Sequence, residues 1–193
     1  MAELVLIVVA AALVNNFVLV QFLGVCPAMN AARRVEGAVG IGLATGLALT
    51  IASGAGYLVD RLVLQPFDVE QFRLVSFVAV IGLAVHATDF TIRRCSPLLH
   101  RVLGVYIPLI AGNCAVLGVA LLNSGASRSL VAALFYGAGA ALGFGLALAL
   151  LASLRERIER ADVPGPFRGS PILFVTAGLL SLAFLGFAGF ARL

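Results

Sequence analysis

The chain has 193 residues, 62% of them hydrophobic and only 11% charged, with a formal net charge of +4 and a mean hydropathy of +1.10. Soluble domains run near 45–50% apolar and about 25% charged, so this composition excludes an ordinary soluble domain, a disordered tail, a coiled coil and a disulfide-stapled secreted module. All thirteen basic residues are arginines set between apolar runs. The positive charge therefore reads as membrane topology and not as a nucleic-acid surface.

Six apolar stretches follow one another at 4–23, 38–59, 74–92, 102–122, 130–152 and 171–191, each 19 to 23 residues long. That is the length a helix needs to cross a hydrocarbon core of ~30 Å. No ~10-residue alternating segments of a membrane β-barrel are present. The first stretch carries Glu3 in place of a basic start, and Asn15, Asn16 and Gln21 interrupt it, so it is expected to be retained as a span. The predicted fold class is an all-α membrane protein with six transmembrane helices.

Six spans put both termini on one side. Loops one, three and five hold nine arginines (33, 34, 93, 94, 101, 155, 157, 160 and 168), against four on the other side (61, 73, 128 and 192). The excess places the odd loops in the cytoplasm and both termini outside. Glycine is frequent within the spans. The pairs Gly42/Gly46 and Gly139/Gly143 have the small-xxx-small spacing that lets helices pack closely.

Three spans per half make the second half an inverted copy of the first, with repeats of about 1–95 and 96–193 in one membrane domain. The segment 13–19, Leu-Val-Asn-Asn-Phe-Val-Leu, resembles 110–116, Ile-Ala-Gly-Asn-Cys-Ala-Val. Each carries amides in an apolar run, and each has helix breakers nearby: Gly24 and Pro27 in one half, Pro108 and Gly112 in the other. The first helix of each half is thus a candidate for interruption.

Cys26 and Cys114 each lie beside such a breaker, whereas Cys95 stands in the third loop next to Arg93 and Arg94 and reads as inert. Zinc would prefer closer spacing and histidine, and neither His86 nor His100 is near a cysteine in sequence. A [2Fe–2S] cluster takes four thiolates; three cysteines cannot supply them, so a second chain would have to complete the set. There is also a question of depth. With straight helices Cys26 sits near the cytoplasmic surface while Cys114 is roughly 18 Å into its span. Sharing a site requires at least one segment to be bent, which is tolerated at that depth only when protein buries it.

Elsewhere, Asn15, Asn16, Gln21 and Asn113 suit interhelical hydrogen bonds. Asp89 is the one acidic residue within a predicted span and, four residues before Arg93, suits an interfacial ion pair. His86 reads as a structural histidine. The alternating charges from Arg155 to Asp162 suit a helix running into the cytoplasm with internal pairing, or a docking surface for a cytoplasmic redox protein. No nucleophile–base pair or phosphate-binding glycine loop suggests a self-contained active site.

The run 14–27, Val-Asn-Asn-Phe-Val-Leu-Val-Gln-Phe-Leu-Gly-Val-Cys-Pro, resembles the first-span signature of the A subunits of the Rnf complex, as does 112–123, Gly-Asn-Cys-Ala-Val-Leu-Gly-Val-Ala-Leu-Leu-Asn. A third match joins Arg155-Glu156-Arg157 to 161–169, Ala-Asp-Val-Pro-Gly-Pro-Phe-Arg-Gly. The E-type subunits of the sodium-translocating NADH:quinone oxidoreductase are similar, but depart from the Asn15-Asn16 and Val20-Gln21 pattern. The resemblance implies a membrane subunit of an ion-translocating ferredoxin:NAD oxidoreductase. It implies pairing with a homologue of opposite topology (the Rnf E subunit), alongside the B, C, D and G subunits. It further implies a [2Fe–2S] cluster held by Cys26 and Cys114 with two ligands from the partner, and electron flow coupled to Na⁺ or H⁺ translocation. From the residues alone, an inverted-repeat ion or solute transporter without a redox centre, or a scaffold subunit, remains the alternative.

Overall fold

The computed structural model describes residues 2–25, 35–67, 70–95, 110–124 and 129–188. All regular elements among them are helical. Helix α1 (Ala2–Val9) continues into a π-helical turn (Ala10–Val14) and is followed by the short α2 (Phe17–Val20). Helix α3 (Val35–Val59) runs on through a second π-helical turn (Asp60–Leu64) into α4 (Gln65–Phe67). Then come α5 (Arg73–Cys95), α6 (Cys114–Ser124), α7 (Leu130–Glu159) and α8 (Ser170–Ala188). Among the described residues, four stretches are long and apolar enough to cross a membrane: Glu3–Val20, Gly37–Leu64, Arg73–Arg94 and Leu130–Glu159. Two shorter apolar helices, Cys114–Ser124 and Ser170–Gly186, complete the set.

The centre of the molecule is the antiparallel pair α3 and α7. Their backbones approach closely because small residues face each other. A Cβ on Gly42 would come within 3.3 Å of the Gly145 Cα, and one on Gly46 within 3.1 Å of Ala141. At Gly137 a Cβ would lie 2.7 Å from the Ser53 side chain, so that position admits no side chain without a shift. In a bilayer, where lipid tails compete for every apolar contact, such close packing is a main source of helix association. On its other flank α7 receives α1, which runs parallel to it: Gly139 abuts Val8, and Gly143 abuts Ala12. The two glycine pairs expected to be packing faces thus serve different neighbours.

Contacts at the helix ends orient the bundle. The Val35 amide donates to Glu156 Oε1 (3.2 Å), joining the start of α3 to the end of α7. An ion pair between Arg73 and Asp60 (3.2 Å) joins the end of α3 to the start of α5. Arg93, Arg94, Arg155, Arg157, Arg160 and Arg168 accordingly share one end of the molecule, and Arg61 and Arg73 the other. At about 1.5 Å per residue α7 is roughly 45 Å long, well over the ~30 Å core, so its last charged turns project beyond the hydrocarbon.

Three boundaries differ from the sequence-based expectation. The second span extends past residue 59 to Leu64, which brings Asp60 inside it; Asp89 is therefore not the only acidic residue within a span. The fifth runs to Glu159 because Arg155 and Glu159 pair one turn apart (3.1 Å), which lets the helix continue into water. Cys95 is the last residue of α5 and not part of a loop. Of the fourth span, residues 102–109 lie outside the described set.

Candidate site at the interrupted helices

Both candidate interruptions are present, and both are built around an asparagine. After α1 the helical hydrogen bonding slips to the wider π pattern, with the Asn15 amide donating to the Ala10 carbonyl (2.7 Å). Asn16 is extended, and its Oδ1 accepts from the amides of Val18 (3.1 Å) and Leu19 (3.4 Å), capping α2. Asn113 Oδ1 accepts from the Ala115 amide (3.0 Å) at the start of α6. An N-cap side chain replaces helix bonds that a fresh start leaves unmade. Both asparagines are buried, so these caps stand where water could not substitute for them. Asn16 and Asn113 lie 97 residues apart, as do Gly42 and Gly139, and Gly46 and Gly143.

The second amide group separates the two positions. Asn16 Nδ2 donates to the Gly143 carbonyl (2.9 Å) and the Ala12 carbonyl (3.1 Å). Asn113 Nδ2, equally enclosed, has no acceptor among the described residues. Thr45 Oγ1 on α3 is likewise buried without a partner among them. Leaving a buried amide unpaired costs about 1–3 kcal/mol, so the Asn113 amide group, next to Cys114, is placed to donate to a group outside the described residues.

The chain beyond Asn16 turns across the bundle. Asn16 bonds Gly143, and Gly24 lies against Phe144, so both stand at the height of the middle of α7. Between them Phe17 stacks on Phe144 (ring centroids 6.1 Å apart, 7° between planes), and the Ser181 hydroxyl of α8 donates to the Leu19 carbonyl. Phe22, two residues past α2, lies in the left-handed region (φ 54°) and is exposed; a side chain there costs roughly 1–2 kcal/mol. The Leu23 amide folds back onto the Phe17 carbonyl (3.1 Å). The two halves thus differ after their caps: α6 runs on for 11 residues, whereas α2 stops after 4.

This turn delivers Gly24 to Cys114. The Gly24 amide donates to Cys114 Sγ (3.2 Å). Gly24 has φ 79°, and a Cβ on it would meet Ala115 Cβ at 2.8 Å, Asn113 Oδ1 at 3.0 Å and the Phe144 ring at 3.2 Å. Only glycine fits both the conformation and the space. Gly118, one turn along α6, makes room for Leu23 in the same way: a Cβ there would lie 2.7 Å from Leu23 Cδ1. The Cys114 residue is exposed on the outer surface of this chain. It opens α6, where unpaired amide groups favour negative charge. Cys26, two residues past Gly24, lies outside the described residues, as does His100.

The remaining candidates do not join this site. Asn15 and Gln21 are exposed. Asp89 pairs with Arg93 (3.0 Å) toward the arginine-rich end, as its spacing suggested. His86 is exposed on α5, on a face turned away from its neighbours. A polar group that sequence reasoning missed lies toward the opposite end. Asn123 Nδ2 donates to Ser53 Oγ (2.7 Å), and Ser53 Oγ donates to the Ala133 carbonyl (2.8 Å). Beyond it opens a cavity of about 280 Å³ lined by Tyr57, Asp60, Arg61, Gln65, Ser124 and Ser129. The signals were present as isolated polar residues near span ends, but their partners are 70 to 80 residues away.

Comparison with known proteins agrees with this architecture. The family described as "Rnf-Nqr subunit, membrane protein" matches residues 4–191. The chain is 54% identical over 193 residues to a protein of Alkalilimnicola ehrlichii named as the A subunit of an ion-translocating oxidoreductase complex. It is 51% identical to the proteins of the same name from Vibrio vulnificus and Vibrio cholerae. In each of these comparisons the match covers the whole of both chains. This chain belongs to the Rnf-Nqr family of membrane subunits.

Proposed function

We propose that the chain is the A subunit of an ion-translocating ferredoxin:NAD oxidoreductase, and that its Cys26 and Cys114 form half of a membrane-embedded [2Fe–2S] site. A homologue of opposite topology, the E subunit, would supply the other two thiolates, and the B, C, D and G subunits would complete the complex. The observation that carries this reading is the hydrogen bond from Gly24 to Cys114 Sγ. It supports a shared depth, because the chain as far as Gly24 lies at mid-depth beside Cys114.

The donor set suits such a group. Cys114 is exposed on the face a partner would cover, so its thiolate can complete a site between two chains. The Gly24 amide and the start of α6 favour negative charge on its sulfur. The orphan Nδ2 of Asn113 is a further donor available to a sulfur acceptor. When bound, a cluster there would supply one-electron storage midway across a low-dielectric slab. The residues of this chain do the rest. Gly24, Gly118 and the two asparagine caps fix the thiol's position, while Phe17 and Phe144 exclude water beneath it. Charge stored at that depth is poorly screened, which couples it to movement of Na⁺ or H⁺.

We also read the two halves, about 1–95 and 96–193, as inverted repeats. The common 97-residue offset of the caps and glycine pairs supports this, as do the opposite directions of α1 and α6 relative to α7. The arginine distribution supports an inner-membrane orientation with loops one, three and five cytoplasmic and both termini periplasmic.

A second reading, an ion or solute transporter without a redox centre, is favoured by the polar cavity beside Asp60 and its connection to Ser53 and Asn123. Iron and acid-labile sulfide in the purified complex separate the two. The redox reading expects two irons fewer per complex in Cys114→Ala than in Cys95→Ala. Equal iron in both variants rejects it.

A further inference from the structure

At the arginine-rich end, where α7 gives way to the 160–169 connection and α8 begins, a cavity of about 230 Å³ opens. Arg155 and Arg168 stand on its walls with Glu159, and Ile158, Val163 and Ile172 provide apolar lining. We infer that this cavity binds the phosphate-bearing headgroup of an anionic phospholipid, with the acyl chains lying along the outer flank of α8.

Three features point to that occupant. The first is charge: the described lining carries two guanidinium groups and one carboxylate, and arginine forks match the paired oxygens of a phosphate group. Arg155 is already held in place by its pair with Glu159 (3.1 Å), and its side chain is only 18% exposed. Its orientation is thus largely settled before a ligand arrives, which reduces the ordering cost of binding. The second is level. The cavity sits where α7 leaves the apolar run and where α8 enters it with Ser170 and Pro171, so it lies at the headgroup layer. Basic pockets between transmembrane helices at that level are suited to lipid phosphates. The third is the amphipathic continuity of the surface. Beyond the cavity α8 exposes Phe174, Val175, Leu179 and Leu182, each at least 49% accessible, an apolar track that a soluble anion would not use and a lipid would.

The experiment uses the full chain, delipidated in detergent, and monitors thermal unfolding together with lipid retention in native mass spectrometry. Phosphatidylglycerol, phosphatidylcholine and inorganic phosphate are titrated separately. Phosphatidylglycerol is expected to raise the unfolding temperature and to remain bound as one or two molecules, while phosphatidylcholine and inorganic phosphate do neither at equal concentration. Arg168→Gln should weaken phosphatidylglycerol binding roughly fivefold. Arg157→Gln, on the same helix end but outside the cavity lining, is the control and should bind as the wild type does. Equal stabilisation by both lipids overturns the inference. So does equal weakening in Arg168→Gln and Arg157→Gln. Stabilisation by inorganic phosphate matching that by phosphatidylglycerol would assign the cavity to a free anion and likewise reject a lipid. The wild-type arms stand even where a variant folds poorly.

Discussion

The amide of Gly24 donates to the sulfur of Cys114 across 90 residues of sequence, at 3.2 Å and at the height of the middle of α7. Two distant parts of the chain meet at mid-depth, which no pair of straight helices would allow. The meeting depends on four local devices: two asparagine caps, one left-handed phenylalanine, and glycines at the points of closest approach.

Gly24→Ala tests the tightest of these. The new Cβ would stand 2.8 Å from Ala115 Cβ on a backbone at φ 79°, so the loop must move. A loss of about 1–3 kcal/mol is expected from strain and overpacking together. In a Cys26→Ser, Cys95→Ser background, the thiol of Cys114 should react more slowly with a membrane-permeant maleimide once the Gly24 amide has withdrawn, because its thiolate has lost a donor. Unchanged stability and unchanged labelling would show that the loop is not held as described.

The two caps should not be equivalent. Asn16→Ala removes a cap and a bond to the Gly143 carbonyl, for an expected loss of about 2–3 kcal/mol. Asn113→Ala removes one cap bond and also an orphan donor, so its cost should be about 1 kcal/mol or less. Equilibrium unfolding in mixed micelles measures both. Equal losses would contradict the difference in their side-chain partners.

Two acidic residues within spans, Asp60 and Asp89, should also separate. Asp60 is buried, pairs with Arg73 and accepts from Gln65 Nε2 (3.3 Å). Asp60→Asn should destabilise by about 1–3 kcal/mol through the weakened charged contacts. The Asp89–Arg93 pair has an Arg side chain 61% exposed, so Arg93→Gln should cost well under ~1 kcal/mol. Thermal unfolding of the two variants side by side checks the order.

Much of this fold is legible in the sequence because bilayer physics leaves few options. Apolar runs of about 20 residues become helices, and the arginine count matches the way the structure sorts the described arginines between two ends. The interruptions were legible as candidates, because helix breakers stand beside amides in apolar runs, and the spacing of Asp89 and Arg93 announced its ion pair. The path of the chain after Asn16 was not. A break can continue a helix in the same direction or turn it sideways. The choice here rests on contacts with Phe144 and Ser181, more than a hundred positions away. Phe22 carries a left-handed conformation that its side chain does not advertise. Asp60 looked like the first residue of a loop because its partner Arg73 lies 13 residues on, beyond any helical spacing. Cys95 looked like a loop residue because two arginines precede it, yet helix C-termini favour basic residues, and the helix includes them.

Whether Cys26 and Cys114 serve one site is decided by electron paramagnetic resonance of the reduced membrane complex. Spectra would be compared for wild type, Cys26→Ala, Cys114→Ala and Cys95→Ala, with assembly of each complex verified by its subunit content. A shared site requires a [2Fe–2S] signal that is lost in the first two variants and kept in Cys95→Ala. A signal that survives in either Cys26→Ala or Cys114→Ala with unchanged shape and intensity would refute it, and would move the electron path out of this chain.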